Sequence, residues 1–205
     1  MTTADAEARR VGVMGGAFDP PHLAHVALAQ AACEQLQLDQ LRLIPTGQAW
    51  HKPQPLTAAC HRLAMAELAF ADLPKVTLDR REMARDGPSY TIDTLRELAV
   101  SEPGVQWFLI IGADQARALC TWKAWHEILQ SAIICVADRA YSIRAGALFD
   151  AEMTNPARFR HLDMPAMAIS ATEIRARISA NLDIHTLVCE PVARYIAAHH
   201  LYQTV

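Results

Sequence analysis

Two histidines, His22 and His25, follow a pair of glycines and a Pro-Pro step in the stretch Gly15–His25, which has the sequence GGAFDPPHLAH. If a helix begins near His22, both imidazoles lie on one face of its first turn. Glycine N–H groups and a helix N-terminus form an anion site, and an imidazole can donate to charge that develops on a leaving phosphate. The stretch predicts a reactive phosphate site. The alternatives are two capping or surface histidines, or a zinc pair, which lacks further ligands at suitable spacing.

A second candidate anion site is the stretch Ile169–Arg175, ISATEIR, near the far end of the chain. Ser170 or Thr172 can cap a helix whose first turn carries Arg175. A helix N-terminus and a guanidinium together would bind a phosphate. The alternative is an ordinary capping box with no ligand.

Several single residues could contact a nucleotide. Asp114 follows an apolar run and could accept hydrogen bonds from ribose hydroxyls, or it could be a helix N-cap. Trp122 could stack on a pyridine ring, or it could be a half-buried core indole. His51 and Lys52 stand in a proline-rich loop and could close over a triphosphate, or they could be solvated loop residues.

Short apolar runs alternate with helical patterns along the chain, and this alternation predicts the elements that position these residues. The predicted strands are Val11–Met14, Leu41–Ile44, Val76–Leu78, Val105–Ile111 and Ala132–Val136, and the predicted helices are His22–Leu38, Thr57–Phe70, Ser89 to about Val100, and Trp125–Gln130. Continuous apolar strands between helices are typical of a parallel sheet covered on both faces, so we expect an α/β fold. A tight turn is expected at Gly15-Gly16, and residues 141–160 show no clear pattern. Ligands bind beyond the carboxyl ends of such strands, where the glycine pair and Asp114 stand.

Composition narrows the class of protein. The chain has 205 residues, 52% of them hydrophobic, and a net charge of −3. We expect one domain with residues 1–9 as a loose tail, and neither nucleic acid nor a membrane as a partner. Five scattered cysteines and the lack of a signal-like segment predict a reduced, cytoplasmic protein. The oligomeric state stays open.

Together the two anion motifs resemble the G-x-F-D-P-x-H-x-G-H and I-S-x-T-x-I-R signatures of the nucleotidyltransferase superfamily. Within it, the stretches LDRREMARDGPSYTIDTL, FLIIGADQ, TWKAWHEIL and EPVARYIAAHHLY resemble the bacterial nicotinate-mononucleotide adenylyltransferases. The resemblance implies a Rossmann-like, doubly wound parallel sheet with helices on both faces. It also implies adenylyl transfer from ATP to nicotinate mononucleotide, with release of pyrophosphate. Two departures, Ala17 and Ala24, replace a hydroxyl residue and a glycine of the family pattern.

The resemblance also implies roles for residues of this chain. It makes His22 and His25 catalytic. It assigns ATP to Gly15, Gly16, Phe18, Lys52, Asp114, Ser170, Thr172 and Arg175, and nicotinate mononucleotide to Tyr90, Thr91, Trp122, Lys123 and Arg139. Mg²⁺ would arrive on the ATP phosphates, with no metal site in the protein itself. The alternatives are another transferase of the superfamily, which would lack the Ser-Tyr-Thr and Trp122 elements, and a non-catalytic nucleotide sensor. An NAD-binding oxidoreductase is disfavoured because the chain has no G-x-G-x-x-G fingerprint.

Overall fold

The structure is a computed structural model that describes residues 8–47, 56–139 and 150–203. Six strands form one sheet: β1 (Arg10–Gly16), β2 (Gln40–Pro45), β3 (Val76–Leu78), β4 (Gln106–Gly112), β5 (Ile133–Arg139) and β6 (Phe159–Met164). Every neighbouring pair is parallel, and the spatial order is β3-β2-β1-β4-β5-β6. The predicted doubly wound parallel sheet is confirmed.

Eight helices accompany the sheet in the described part of the chain. They are α1 (Leu23–Gln35), α2 (Ala59–Phe70), α3 (Thr91–Ser101), α4 (Ala113–Ala118), α5 (Trp125–Ser131), α6 (Asp150–Thr154), α7 (Ala171–Ser179) and α8 (Glu190–Ala198). None of them is long and apolar enough to cross a lipid bilayer.

Two hydrophobic clusters lie on the two faces of the sheet, because successive strand side chains point to opposite faces. On β4, Phe108 and Ile110 pack in the cluster that contains buried residues of α1, α2, α7 and α8. Trp107 and Leu109 pack in the other cluster, with buried residues of α3, α4, α5 and α6. Helices therefore cover both faces, as predicted.

The strand order reverses between β1 and β4. From β1 the chain proceeds through β2 to β3 at one edge, and from β4 it proceeds through β5 to β6 at the other. A crevice opens at such a reversal, beyond the carboxyl ends of the two central strands. The glycine pair ends β1 and Gly112 ends β4, so both predicted stretches lie at the crevice.

Several local predictions are corrected. Gly15 and Gly16 continue β1 and pair with Ile44 and Pro45, so the predicted tight turn at the glycines is wrong. The chain turns instead at Phe18, whose φ is 48°. The strand β6, within and beyond the unpatterned stretch, was not predicted. Arg9, at the end of the predicted loose tail, donates a hydrogen bond to Glu102 at 3.1 Å, and the loose tail itself stays a prediction.

Candidate active site

A cavity of about 540 Å³ occupies the crevice at the strand reversal. Seven predicted site residues line it: Gly15, Gly16, Tyr90, Thr91, Asp114, Trp122 and Lys123. They come from the end of β1, the start of α3, the first turn of α4 and the turn before α5. The sheet therefore brings together residues from four separate stretches of the sequence.

The two histidines lie at the start of α1, with His22 as its N-cap. Their rings stack with centroids 3.7 Å apart, and the backbone N–H of His22 donates to Nδ1 of His25 at 3.2 Å. Because Nδ1 of His25 accepts this hydrogen bond, the proton of the neutral ring lies on Nε2. His25 can therefore present an N–H donor, which is what the predicted role requires.

Phe18 packs against the histidine pair. Its side chain is only 1% exposed and meets the ring of His25 edge-on, with centroids 5.2 Å apart. The assignment of Phe18 to ATP binding stays a prediction, and in this structure its side chain packs against the ring of His25.

The second motif begins a helix as predicted. Ser170 is the N-cap of α7, and its hydroxyl accepts a hydrogen bond from the N–H of Glu173 at 3.2 Å. Arg175 lies in the second turn, not the first, and donates to the carbonyl oxygen of Asp19 at 2.8 Å and to the Thr172 hydroxyl at 3.3 Å. The two anion motifs, distant in sequence, are therefore joined directly through Arg175 and the loop before α1.

Asp19 connects this loop to three other parts of the chain. Besides the bond from Arg175 to its carbonyl, its carboxylate accepts hydrogen bonds from the Tyr202 hydroxyl at 2.6 Å and from the N–H of Thr57 at 3.1 Å. Burial, followed by the contact with Asp19, raises the pKa of Tyr202 well above its usual value. Tyr202 therefore stays protonated and remains a donor across the working pH range. The sequence prediction missed this contact.

Arg62 of α2 is a second residue that the prediction missed. Its side chain is buried, 2% exposed, and its guanidinium donates to four carbonyl oxygens: those of Thr57 at 2.9 Å, Ala17 at 3.0 Å, Thr46 at 2.8 Å and, at the longest distance, Gly47 at 3.5 Å. Burial lowers the pKa of Arg62, and the nearby Asp19 partly opposes this shift. The arginine ties the loop after β1 to the loop after β2. An arginine at an inward-facing position of an apolar helix was the available signal.

On the α3 side of the cavity, the predicted cap is wrong. Tyr90, not Ser89, is the N-cap of α3, and no side chain caps this helix. The helix start still lies against the cavity, since Tyr90 and Thr91 both line it. Trp122 packs partly against the core cluster of that face, as the half-buried alternative predicted, and it also lines the cavity. Its stacking on a ring stays a prediction.

Glu82 contributes a buried carboxyl group to the same wall of the cavity. Its Oε1 accepts a hydrogen bond from the Thr94 hydroxyl at 2.8 Å. Burial raises the pKa of Glu82, and the contacts with Thr94 and Arg85 partly offset the rise. Gly47 allows this packing, because a Cβ atom there would clash with the Glu82 carbonyl oxygen.

The remaining predicted site residues are Asp114, His51, Lys52 and Arg139. Asp114 is not an N-cap; Gly112 caps α4, and the Asp114 side chain, 92% exposed, pairs with Arg117 at 2.7 Å. His51 and Lys52 lie outside the described residues, and of Arg139 only the backbone, at the end of β5, is described. Within residues 8–47, 56–139 and 150–203, no three His, Cys, Asp or Glu side chains converge as a metal site would require.

The fold and the two joined anion motifs define a nucleotidyltransferase, and the Cytidylyltransferase-like family model matches residues 13–177. A relative from Albidiferax ferrireducens is 62% identical, over 96% of this chain and 99% of its own length. Another from Bordetella pertussis is 43% identical, over 95% of this chain and 98% of its own. Both carry the name "Probable nicotinate-nucleotide adenylyltransferase". The chain belongs to the nicotinate-nucleotide adenylyltransferase family.

A solved structure with the same architecture is Plasmodium falciparum nicotinic acid mononucleotide adenylyltransferase complexed with APC. The TM-score is 0.76, and the match covers 95% of this chain and 97% of that one. At 16% sequence identity, this likeness establishes the fold alone.

Proposed function

We propose that this chain transfers the adenylyl group of ATP to nicotinate mononucleotide, giving nicotinate adenine dinucleotide and pyrophosphate. One observation supports the proposal most directly. In a chain of this family, the start of α1 with its two histidines and a cavity lined by Trp122 and the start of α3 lie at one end of the same sheet. The free cysteines and the family relationship support a cytoplasmic setting.

In the proposed reaction, an oxygen of the mononucleotide phosphate forms a bond to the α-phosphorus of ATP. The bond from that phosphorus to the bridging oxygen of the β-phosphate breaks, and pyrophosphate leaves with the electron pair. The attacking oxygen is already ionised at neutral pH, so the step requires alignment and charge stabilisation and no general base. ATP enters as its Mg²⁺ complex, with the ion held by the phosphates.

The chain's own groups would share this work. The Nε2–H of His25 would donate to the phosphate region where charge develops, with His22 stacked beside it. Gly15 and Gly16 would admit phosphate close to the backbone at the end of β1. The N-terminus of α7 would face the outer phosphates, with Ser170, Thr172 and Arg175 as its polar groups.

The pyridine ring would occupy the α3 side of the cavity. Trp122 offers a flat face for stacking. The N–H groups at Tyr90 and Thr91 begin α3, and with the N–H of Lys123 they would bind the nicotinate carboxylate at the positive end of the helix dipole. An amide in place of the carboxylate would turn its NH₂ toward some of these donors and leave them unpaired, which costs about 1–3 kcal/mol.

The test is pyrophosphate release with Mg²⁺ and ATP and a panel of phosphate acceptors: nicotinate mononucleotide, nicotinamide mononucleotide and phosphopantetheine. We expect turnover with nicotinate mononucleotide and a kcat/KM at least about tenfold above that of the amide, the equivalent of about 1.4 kcal/mol. Turnover with phosphopantetheine alone would refute the proposed acceptor. Parity between the two pyridine mononucleotides would refute the carboxylate site while leaving adenylyl transfer intact.

A further inference from the structure

The described side chains that line the cavity include more acidic than basic groups. Among them, Glu82 and Asp114 are acidic and Lys123 alone is basic. Every acceptor proposed above carries negative charge on its phosphate, and nicotinate adds a carboxylate on the ring. A lone cation at the wall of such a cavity can therefore act on the substrate as well as on the protein.

The position of the Lys123 ammonium is defined by α3. Its Nζ lies 3.0 Å from Oδ2 of Asp93 and 4.4 Å from the centroid of the Tyr90 ring. Tyr90 and Asp93 are the N-cap and the third residue of α3. The ammonium therefore lies beside the helix start where the nicotinate carboxylate is proposed to bind, and its side chain is 49% exposed, so it is free to move toward a ligand.

Asp93 does not depend on Lys123 for its charge balance. Its other carboxylate oxygen, Oδ1, accepts a hydrogen bond from Arg96 at 3.1 Å. Arg96 in turn makes a bidentate contact with Glu127, at 2.7 and 2.6 Å. If the Lys123 ammonium moved from Asp93 to a bound carboxylate, Asp93 would keep its contact with Arg96. Neither carboxylate would then be left without a cation.

We propose that Lys123 is a specificity-determining residue whose ammonium exchanges from Asp93 to the ring carboxylate of the substrate. This inference rests on the proposed function and adds a side-chain charge to the backbone donors named there. A neutral amide gains nothing from the exchange, so Lys123 favours the acid over the amide.

The central experiment compares Lys123→Met with the unmodified protein. Methionine keeps an aliphatic chain against the Tyr90 ring and removes the charge. We expect kcat/KM for nicotinate mononucleotide to fall about fivefold, as a half-exposed charge contact predicts, while kcat/KM for the amide changes less than about twofold. The fivefold difference should shrink as salt is raised, because a partly exposed ion pair is screened. Lys123→Arg should retain most of the selectivity.

A second variant separates this role from a purely structural one. If the Lys123–Asp93 pair only holds the cavity wall in place, Lys123→Met and Asp93→Asn should each lower kcat/KM for both mononucleotides, and that result would overturn the proposal. If Lys123 acts on the substrate, Asp93→Asn should leave kcat/KM for the acid unchanged or raise it. Arg194→Met, an exposed cation on α8, removes the same unit of charge and should leave selectivity unchanged.

The outcomes keep the two proposals apart. An unmodified protein that turns over neither mononucleotide refutes the proposed function itself. An unmodified protein that prefers the acid, together with a Lys123→Met variant of equal selectivity, refutes only the role of Lys123. A Lys123→Met variant that loses selectivity for the acid but keeps the kcat/KM of the unmodified protein for the amide supports both the proposed function and the role of Lys123.

Discussion

Replacing Arg62 by methionine should lower both the free energy of unfolding and kcat/KM. The guanidinium is buried and donates to three carbonyl oxygens at 2.8 to 3.0 Å and to a fourth at 3.5 Å. Methionine fills much of the same volume but donates nothing, so all of these carbonyl oxygens lose their partner. A buried polar group left without a partner costs roughly 1–3 kcal/mol. The substitution also removes the unfavourable burial of the Arg62 charge, which offsets part of this loss. We therefore use the lower end of the range, about 1 kcal/mol, for each of the three shorter hydrogen bonds.

The free energy of unfolding should therefore fall by about 3 kcal/mol. For a chain of this length that corresponds to a decrease in Tm of about 6–12 °C. Two of these carbonyls belong to Ala17 and Thr46, which line the cavity. A shift of these loops should lower kcat/KM by about tenfold or more, because alignment of the reacting groups carries much of the catalysis.

Urea unfolding, a thermal melt and steady-state pyrophosphate release measure the three quantities. Arg194→Met is the matched control, since the Arg194 side chain is 77% exposed and pairs with Glu190 four residues earlier in the same helix. It should change the free energy of unfolding by less than about 0.5 kcal/mol. A loss below about 1 kcal/mol in Arg62→Met, with unchanged kinetics, would refute the conclusion that Arg62 holds the two loops.

Three further predictions follow from single residues. His25→Ala should lower kcat by roughly 10²–10³-fold without a change in the circular dichroism spectrum; an unchanged kcat would make this histidine structural. Glu82 holds its proton more tightly in the folded state, because burial raises its pKa above 4.5, so its contribution to stability is lost as pH rises through the folded-state pKa. The stability advantage of Glu82→Gln should accordingly grow in urea unfolding as the pH is raised from 4.5 toward the folded-state pKa of Glu82, and a difference that does not change with pH would contradict the shift. Burial raises the pKa of Cys135 to about 12, so iodoacetamide should label exposed Cys60 and leave Cys135 unmodified until the protein unfolds; equal labelling rates, read by mass spectrometry, would count against this.

Local sequence was sufficient for most elements of the fold. The apolar run that became β4 is buried from Trp107 to Ile111, and only a strand covered on both faces tolerates such a run. The cap at Ser170 was also predictable, because a cap is a contact between residues three apart. The edge strand β6 was missed, since three of its six residues, in the sequence FRHLDM, are exposed and the apolar signal is weak.

The tertiary structure decided how the site is held together. Asp19 and Tyr202 are 183 residues apart, and Asp19 and Arg175 are 156 apart. Neither contact leaves a trace in local periodicity. Tyr90, not Ser89, is the N-cap of α3, and both residues line the cavity. Hydrophobic periodicity reports which face of an element is buried, whereas a hydrogen bond between distant loops exists only after the sheet has brought them to the same edge.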